Sequence, residues 1–235
     1  MIDEQWASGY ILRDMLGEWS KSPGFKAVVV LVIVGVLISF FKRGGHDNTD
    51  EVDFDKKIHQ SVGMMAAERA AKILGTEGGD VALILLGTDE SKFKGSESEP
   101  YEEGFRVAAE KAKTVRLAGH FLVNLPILEN GRGYNFPTLR TLQAAREKYP
   151  SAKLLVCFLG LPVLKPDEEK EWQASSPPKM IIVQGPRPLT GQVERYLQEG
   201  LAHAVFLFRA KAAYPEKKPT DLHEIFQLFY EVVPP

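Results

Sequence analysis

Four short runs set what this chain can become: VALILLG (81–87), AKLLVCFLG (152–160), KMIIVQG (179–185) and HAVFLFR (203–209). Each is almost wholly apolar and bounded by turn formers, which is how a strand covered on both faces reads. A fifth run, TVRLAGHFLV (114–123), is more mixed. Segments of helical period fall between and around them. The first covers Asp55–Leu74, with Ile58, Val62, Met65, Ala66, Ala70 and Ile73 on one side. A second opens at Pro100 and places Tyr101, Phe105, Ala108 and Ala112 in a stripe. Further helices are expected over 136–149, 191–202 and 221–233, the last with Leu222, Ile225, Phe226, Phe229 and Val233 buried. The stretch 161–178 holds too many prolines for a full crossover helix, so one turn at Asp167–Trp172 is expected there. Such alternation predicts an α/β fold with a single doubly wound parallel sheet of five strands, in the flavodoxin-like order 2-1-3-4-5.

The N-terminal quarter has a different character. AVVVLVIVGVLISFF, Ala27 to Phe41, carries no charge and is closed by Lys26 and Lys42. It is too long for an ordinary strand. As a helix it rises about 22 Å, and Phe25 with the flanking lysines and Arg43 extends its reach toward the roughly 30 Å hydrocarbon core. A transmembrane helix over 25–43 is therefore expected. A cleaved export signal and a buried core helix are the other readings. The first lacks a small-residue cleavage pattern after the run. Residues 1–24 place Trp6, Tyr10, Leu12, Leu16 and Trp19 at helical spacing, as an amphipathic segment on the membrane interface or on a partner protein would. Residues 44–54 read as an acidic tether, and 55–235 as the α/β domain. Arg13, Lys21 and Lys26 precede the span and Lys42 and Arg43 follow it, so charge alone does not orient it.

Composition narrows the chemistry. A net charge of −2 over 235 residues gives no basic stripe for nucleic acid, and none is expected as a partner. The single cysteine, Cys157, lies inside an apolar run and reads as a small buried hydrophobe. No Gly-x-Gly-x-x-Gly follows a strand, and no P-loop or Gly-x-Ser-x-Gly elbow occurs, so no cofactor is expected. None of His46, His59, His120, His203 and His223 has metal-ligand spacing, and no metal is expected.

In doubly wound sheets ligands sit beyond the carboxyl ends of the strands. Those ends fall at Thr88–Ser91, His120–Asn124, Gly160–Pro162, Gln184–Arg187 and Arg209–Lys211. Asp89 is either a contact for a ligand hydroxyl or metal, or a turn former and helix cap. Arg187 is either an anion clamp or a solvated loop charge. His120 is the one histidine near a site edge.

The ordered series AAERAAKILGTEGGDVALILLGTDES, PYEEGFRVAAEKAKTVRLAG, TLRTLQAAREKYP, KLLVCFLG, MIIVQG and YLQEGLAHAVF resembles the second lobe of type I periplasmic binding proteins of the ribose-binding kind, across residues 58 to 232. Gly104-Phe105 matches the family's Gly-Phe pair. The resemblance implies a ligand-capturing lobe on the periplasmic side. It also implies departures: Tyr101 stands where the family has a ligand-contacting Arg, Leu159-Gly160 where an Asn-Asp pair is common, and Gly185-Pro186-Arg187 where a Gly-x-Asp follows strand four. The short tether leaves no room for the other lobe. The expected function is thus a membrane-anchored, non-enzymatic binding or accessory module in the inner membrane. It contacts a membrane protein partner, a second copy of itself or a small ligand through Thr88, Asp89, Tyr101, His120 and Arg187. The alternative is an enzyme in which Asp89, His120 and Arg187 converge.

Overall fold

A computed structural model describes residues 48–125, 136–184 and 190–233. The chain divides into two compact units, Met1–Glu51 and Val52–Pro235, and the second holds the sheet. The described elements run α1 (Asn48–Leu74), β1 (Gly79–Leu86), α2 (Glu99–Ala112), β2 (Val115–Val123), α3 (Leu139–Lys148), β3 (Ala152–Cys157), α4 (Pro166–Ala174), β4 (Lys179–Gln184), α5 (Thr190–Gln198), β5 (Ala204–Phe208), α6 (Leu222–Phe229) and β6 (Tyr230–Val233). The sheet order is β2-β1-β3-β4-β5-β6. The first five strands are parallel and follow the expected 2-1-3-4-5 order. The expected transmembrane span 25–43 and amphipathic segment 1–24 lie outside the described residues. Among the described residues no helix is long and apolar enough to cross a membrane.

Strand count is the first correction: there are six strands, not five. The expected closing helix over 221–233 stops at Phe229, and Tyr230–Val233 pairs antiparallel with β5, Phe208 against Tyr230 and Val205 against Val233. Edge pairing wins because β5 would otherwise present its outer backbone groups unpaired. Arg209 fastens the switch from helix to strand. Its N–H donates to the Phe229 carbonyl at 2.7 Å, and its Nε donates to the Tyr230 carbonyl at 3.0 Å.

Two further elements are longer than their patterns suggest. Helix α1 begins at Asn48, inside the expected tether, and Phe54 near its start is buried against Tyr214 and Phe229. That contact rewards extending the helix past Asp55. Helix α4 has nine residues rather than one turn. Pro166 occupies its first turn, where a missing N–H costs nothing. Glu168 accepts from the Lys165 N–H at 2.8 Å, and Trp172 is buried. The prolines of this stretch flank the helix instead of interrupting it.

The sheet separates two apolar layers. On one side α1, α2 and α6 pack over Val81, Leu83, Leu85, Val156, Ile181 and Phe206. On the other, α3, α4 and α5 pack over Ala82, Ile84, Leu155, Cys157, Ile182 and Val205. Strand β1 is fully buried from Val81 to Leu85, which explains its unbroken apolar run. Burying each such Leu or Val contributes about 1.5–3 kcal/mol. Cys157 is buried as expected, and desolvation pushes its thiol up to about 12, which leaves it inert.

The first layer depends on close backbone approach. A Cβ on Gly104 would lie 2.0 Å from the Gln60 carbonyl oxygen, and one on Gly63 would lie 2.0 Å from that of Tyr101. Gly63 and Gly104 are therefore the seam between α1 and α2, with Phe105 buried beside it. The second layer is held by side chains. Arg195 of α5 grips Glu169 of α4 through two bonds of 2.6 Å, and the Tyr196 hydroxyl donates to the Pro162 carbonyl at 2.7 Å.

Candidate functional site

Strand β1 ends at Leu86, and the chain leaves the sheet through Gly87, Thr88 and Asp89. The Gly87 N–H still donates to Val123 of β2 at 3.1 Å, which keeps the two strand ends together. Asp89 then caps a short 3-10 turn, Glu90–Lys92, by accepting the Ser91 N–H at 2.9 Å. That bond holds the Asp89 carboxyl below the usual carboxylate range. The segment returns to α2 through Ser98, whose hydroxyl donates to the Leu86 carbonyl at 2.8 Å. Gly95 N–H donates to Glu99 at 2.6 Å.

A cleft of about 270 Å³ opens between this loop and the end of β2. Thr88, Asp89, Ser96 and Asn124 give it polar groups, and Leu86, Phe93 and Leu125 give it apolar walls. It lies at the carboxyl ends of β1 and β2, beside rather than at the β1/β3 switch point where this topology places ligands. Its volume is slightly below the usual range for small-molecule sites, about 300–1,000 Å³. A larger groove of about 500 Å³ lies along α1 and α2, lined by Met64, Val107, Ala108 and Leu222, and contains none of the expected site residues.

His120 sits under the same loop. A bulge in β2 moves the pairing from Val81–Leu117 to Ala82–Gly119, so one residue of β2 is skipped. Bulges re-aim the side chains that follow. Gly119 has φ +144°, and a Cβ there would lie 2.7 Å from the Tyr149 hydroxyl. That hydroxyl donates to the His120 carbonyl at 2.6 Å. The His120 ring stacks on Phe93 with centroids 4.1 Å apart. Its Nε2 lies 2.6 Å from Glu90, and its Nδ1 is paired with Glu102 of α2. Lys148 bridges to Glu90 at 2.9 Å. Lys148 and His120 together hold the Glu90 carboxyl below its ordinary range.

Tyr101 faces another way. Its ring stacks on His59, with centroids 4.4 Å apart, and tilts against Phe158 at 4.7 Å. Burial pushes its phenol well above the ordinary value. Burial also lowers the basicity of His59. Beyond β3, Gly160 adopts φ +89°, and the Leu161 N–H donates to the buried Gln184 side chain at 2.8 Å. That bond ties the carboxyl ends of β3 and β4 together.

Of the five expected site residues, Thr88 and Asp89 share the cleft, His120 lies beneath its loop, and Tyr101 belongs to an aromatic stack. Arg187 lies outside the described residues. No hydrogen bond or ion pair joins Asp89 to His120 among the described residues, where the enzyme reading requires convergence. Asp89 fills the cap role that its sequence context left open. Glu90, Glu102 and Lys148 had no sequence signal connecting them to His120, because a loop, a helix and a second helix end deliver them separately. Among the described residues no three His, Cys, Asp or Glu side chains gather as metal ligands.

No protein-family model matches the chain. No curated protein matches it in sequence. Several solved structures are similar in fold. A sugar-binding protein of a sugar ABC transporter from Bacillus halodurans is 16% identical, with TM-score 0.43, over 63% of this chain and 45% of its own. An arabinose-binding protein from Geobacillus stearothermophilus is 16% identical, with TM-score 0.45, over 63% and 45%. A glucose-galactose-binding protein from the same organism is 12% identical, with TM-score 0.44, over 75% and 60%. The chain thus spans about half the length of these proteins. At such distances the chemistry of the site has to be argued from its own residues.

Proposed function

We propose that the chain is a membrane-tethered, non-enzymatic module whose α/β unit takes a small polar solute at the carboxyl ends of β1 and β2. The observation that carries this reading is the cleft itself. It pairs an apolar wall, Leu86, Phe93 and Leu125, with the short polar groups of Thr88, Asp89, Ser96 and Asn124. That mixture orients a hydroxylated molecule while excluding water from one of its faces. The volume restricts the occupant to something of monosaccharide size or smaller. Arg187 is proposed as a further contact, while Tyr101 stays in its stack with His59 and Phe158. The uncharged segment Ala27–Phe41 supports the tether, and the implied setting is the periplasmic face of the inner membrane, beside a membrane protein partner or a second copy.

Thermal unfolding of the full chain against a panel of monosaccharides, nucleosides and small anions tests the site. One compound is expected to raise Tm at micromolar concentration, by the mass-action rule for a ligand that binds only the folded state, and Thr88→Val is expected to abolish the rise. Absence of any shift across the panel, with the fold intact, would remove the solute and leave a protein-contacting role. Resistance to carbonate extraction tests the tether, and protease accessibility in spheroplasts tests the side.

A further inference from the structure

We propose that His120 is a proton-operated latch: as an imidazolium it holds the Thr88–Ser98 segment against β2 and α2, and loss of its proton releases that segment. Both ring nitrogens face carboxylate oxygens, Nε2 that of Glu90 at 2.6 Å and Nδ1 that of Glu102. A carboxylate only accepts, so both nitrogens must donate, and a neutral imidazole has a single N–H. Deprotonation therefore turns one of the two contacts into a lone pair facing a carboxylate.

The contact that gives way is the one to Glu90. Glu102 is fixed on α2, whereas Glu90 rides on an exposed 3-10 turn with no buried residue. The His120 side chain is only 15% exposed, so water does not screen the change as it would on an open surface. Lys148, Arg106 and Glu103, from the helices packed beside β2, each have partners of their own. Lys148, from the end of α3, bonds Glu90 at 2.9 Å and reaches the His120 carbonyl at 3.2 Å. From α2, Arg106 is paired with Glu110 and Glu103 with Gln60. With the Nε2 proton gone, Lys148 is the one cation left on Glu90 among the described residues, and Phe93 loses the imidazolium stacked on its face, a cation–π contact.

The same segment touches a second histidine. His59, on α1, faces Asp55 and bonds the Glu97 backbone, and burial favours its neutral form. Burial opposes a proton on His59, whereas Asp55 and Glu97 favour one, so the release at alkaline pH belongs to the Glu90 end alone. The latch makes no assumption about what occupies the cleft, so it stands or falls separately from solute binding.

Hydrogen exchange on the full chain without added solute, between pH 5.5 and 8.5 and corrected for intrinsic rates, tests the latch. Protection of the 90–98 amides is expected to fall about tenfold or more toward alkaline pH, the size of a lost charge-assisted hydrogen bond. Nitrogen-15 imidazole signals should show His120 protonated on both nitrogens when protection is high. His120→Gln, which offers one donor and one acceptor, should abolish the alkaline loss while leaving β2 protected. A pH-independent segment in the native chain would overturn the proposal. So would an alkaline loss that persists in His120→Gln.

Discussion

The two helix layers over the sheet solve one problem in opposite ways. Between α1 and α2 the contact is made by leaving side chains out, with Gly63 and Gly104 letting one helix rest on the other's carbonyls. Between α4 and α5 it is made by putting side chains in: Trp172, Tyr196 and the Arg195–Glu169 fork. A backbone seam has no slack, because a carbonyl cannot rotate out of the way. A side-chain clamp is partly open to water and can re-form, since Arg195 remains 39% exposed. The first layer should therefore be brittle and the second forgiving.

The largest effect should come from Gly104→Ala. Its new methyl meets the Gln60 carbonyl at 2.0 Å, so α1 and α2 must separate, at a cost of about 3 kcal/mol, the upper end of overpacking. Urea denaturation measures it, and a loss under 1 kcal/mol would show that the seam does yield. Glu169→Ala should cost about 1–2 kcal/mol. That is less than the penalty for breaking a wholly buried pair, because the abandoned guanidinium can hydrate and still has Glu199 at 3.5 Å. If it matches Gly104→Ala, the contrast between the layers fails. Arg195→Lys keeps the charge but loses the planar fork, and should cost about 1 kcal/mol or less. Measured with Glu169→Ala as a double-mutant cycle, it isolates how much of the clamp is geometry.

Much of this architecture was legible. Four of the five parallel strands could be placed because each is a continuous apolar run, and a strand buried on both faces leaves no alternation to misread, whereas β2, half-exposed at the edge, is mixed. The end of the chain was not legible. Leu222, Ile225, Phe226, Phe229 and Val233 satisfy a helical period, and four residues are too few for a period of two to show against it. Helix α4 was concealed by prolines whose positions, not number, mattered. The Gly104-Phe105 pair stood out in the sequence, but its partner on α1 did not, since sequence spacing says nothing about which backbone lies opposite. The site divides the same way. Thr88, Asp89 and His120 could be placed from topology alone. The carboxylates that enclose His120 could not, because only the bulge at Gly119 brings them within reach of the ring.

The Tyr149 hydroxyl on the carbonyl of His120 has a consequence for crowding. Strand β2 forms one border of the sheet, and a bare border is a template on which another chain can add a strand. Here Tyr149 and Lys148 already occupy a carbonyl of that border, and the neighbouring backbone is kinked. An incoming strand would have to evict both and straighten the kink before it could zip on. A blunted border lets copies of the chain collide without polymerising.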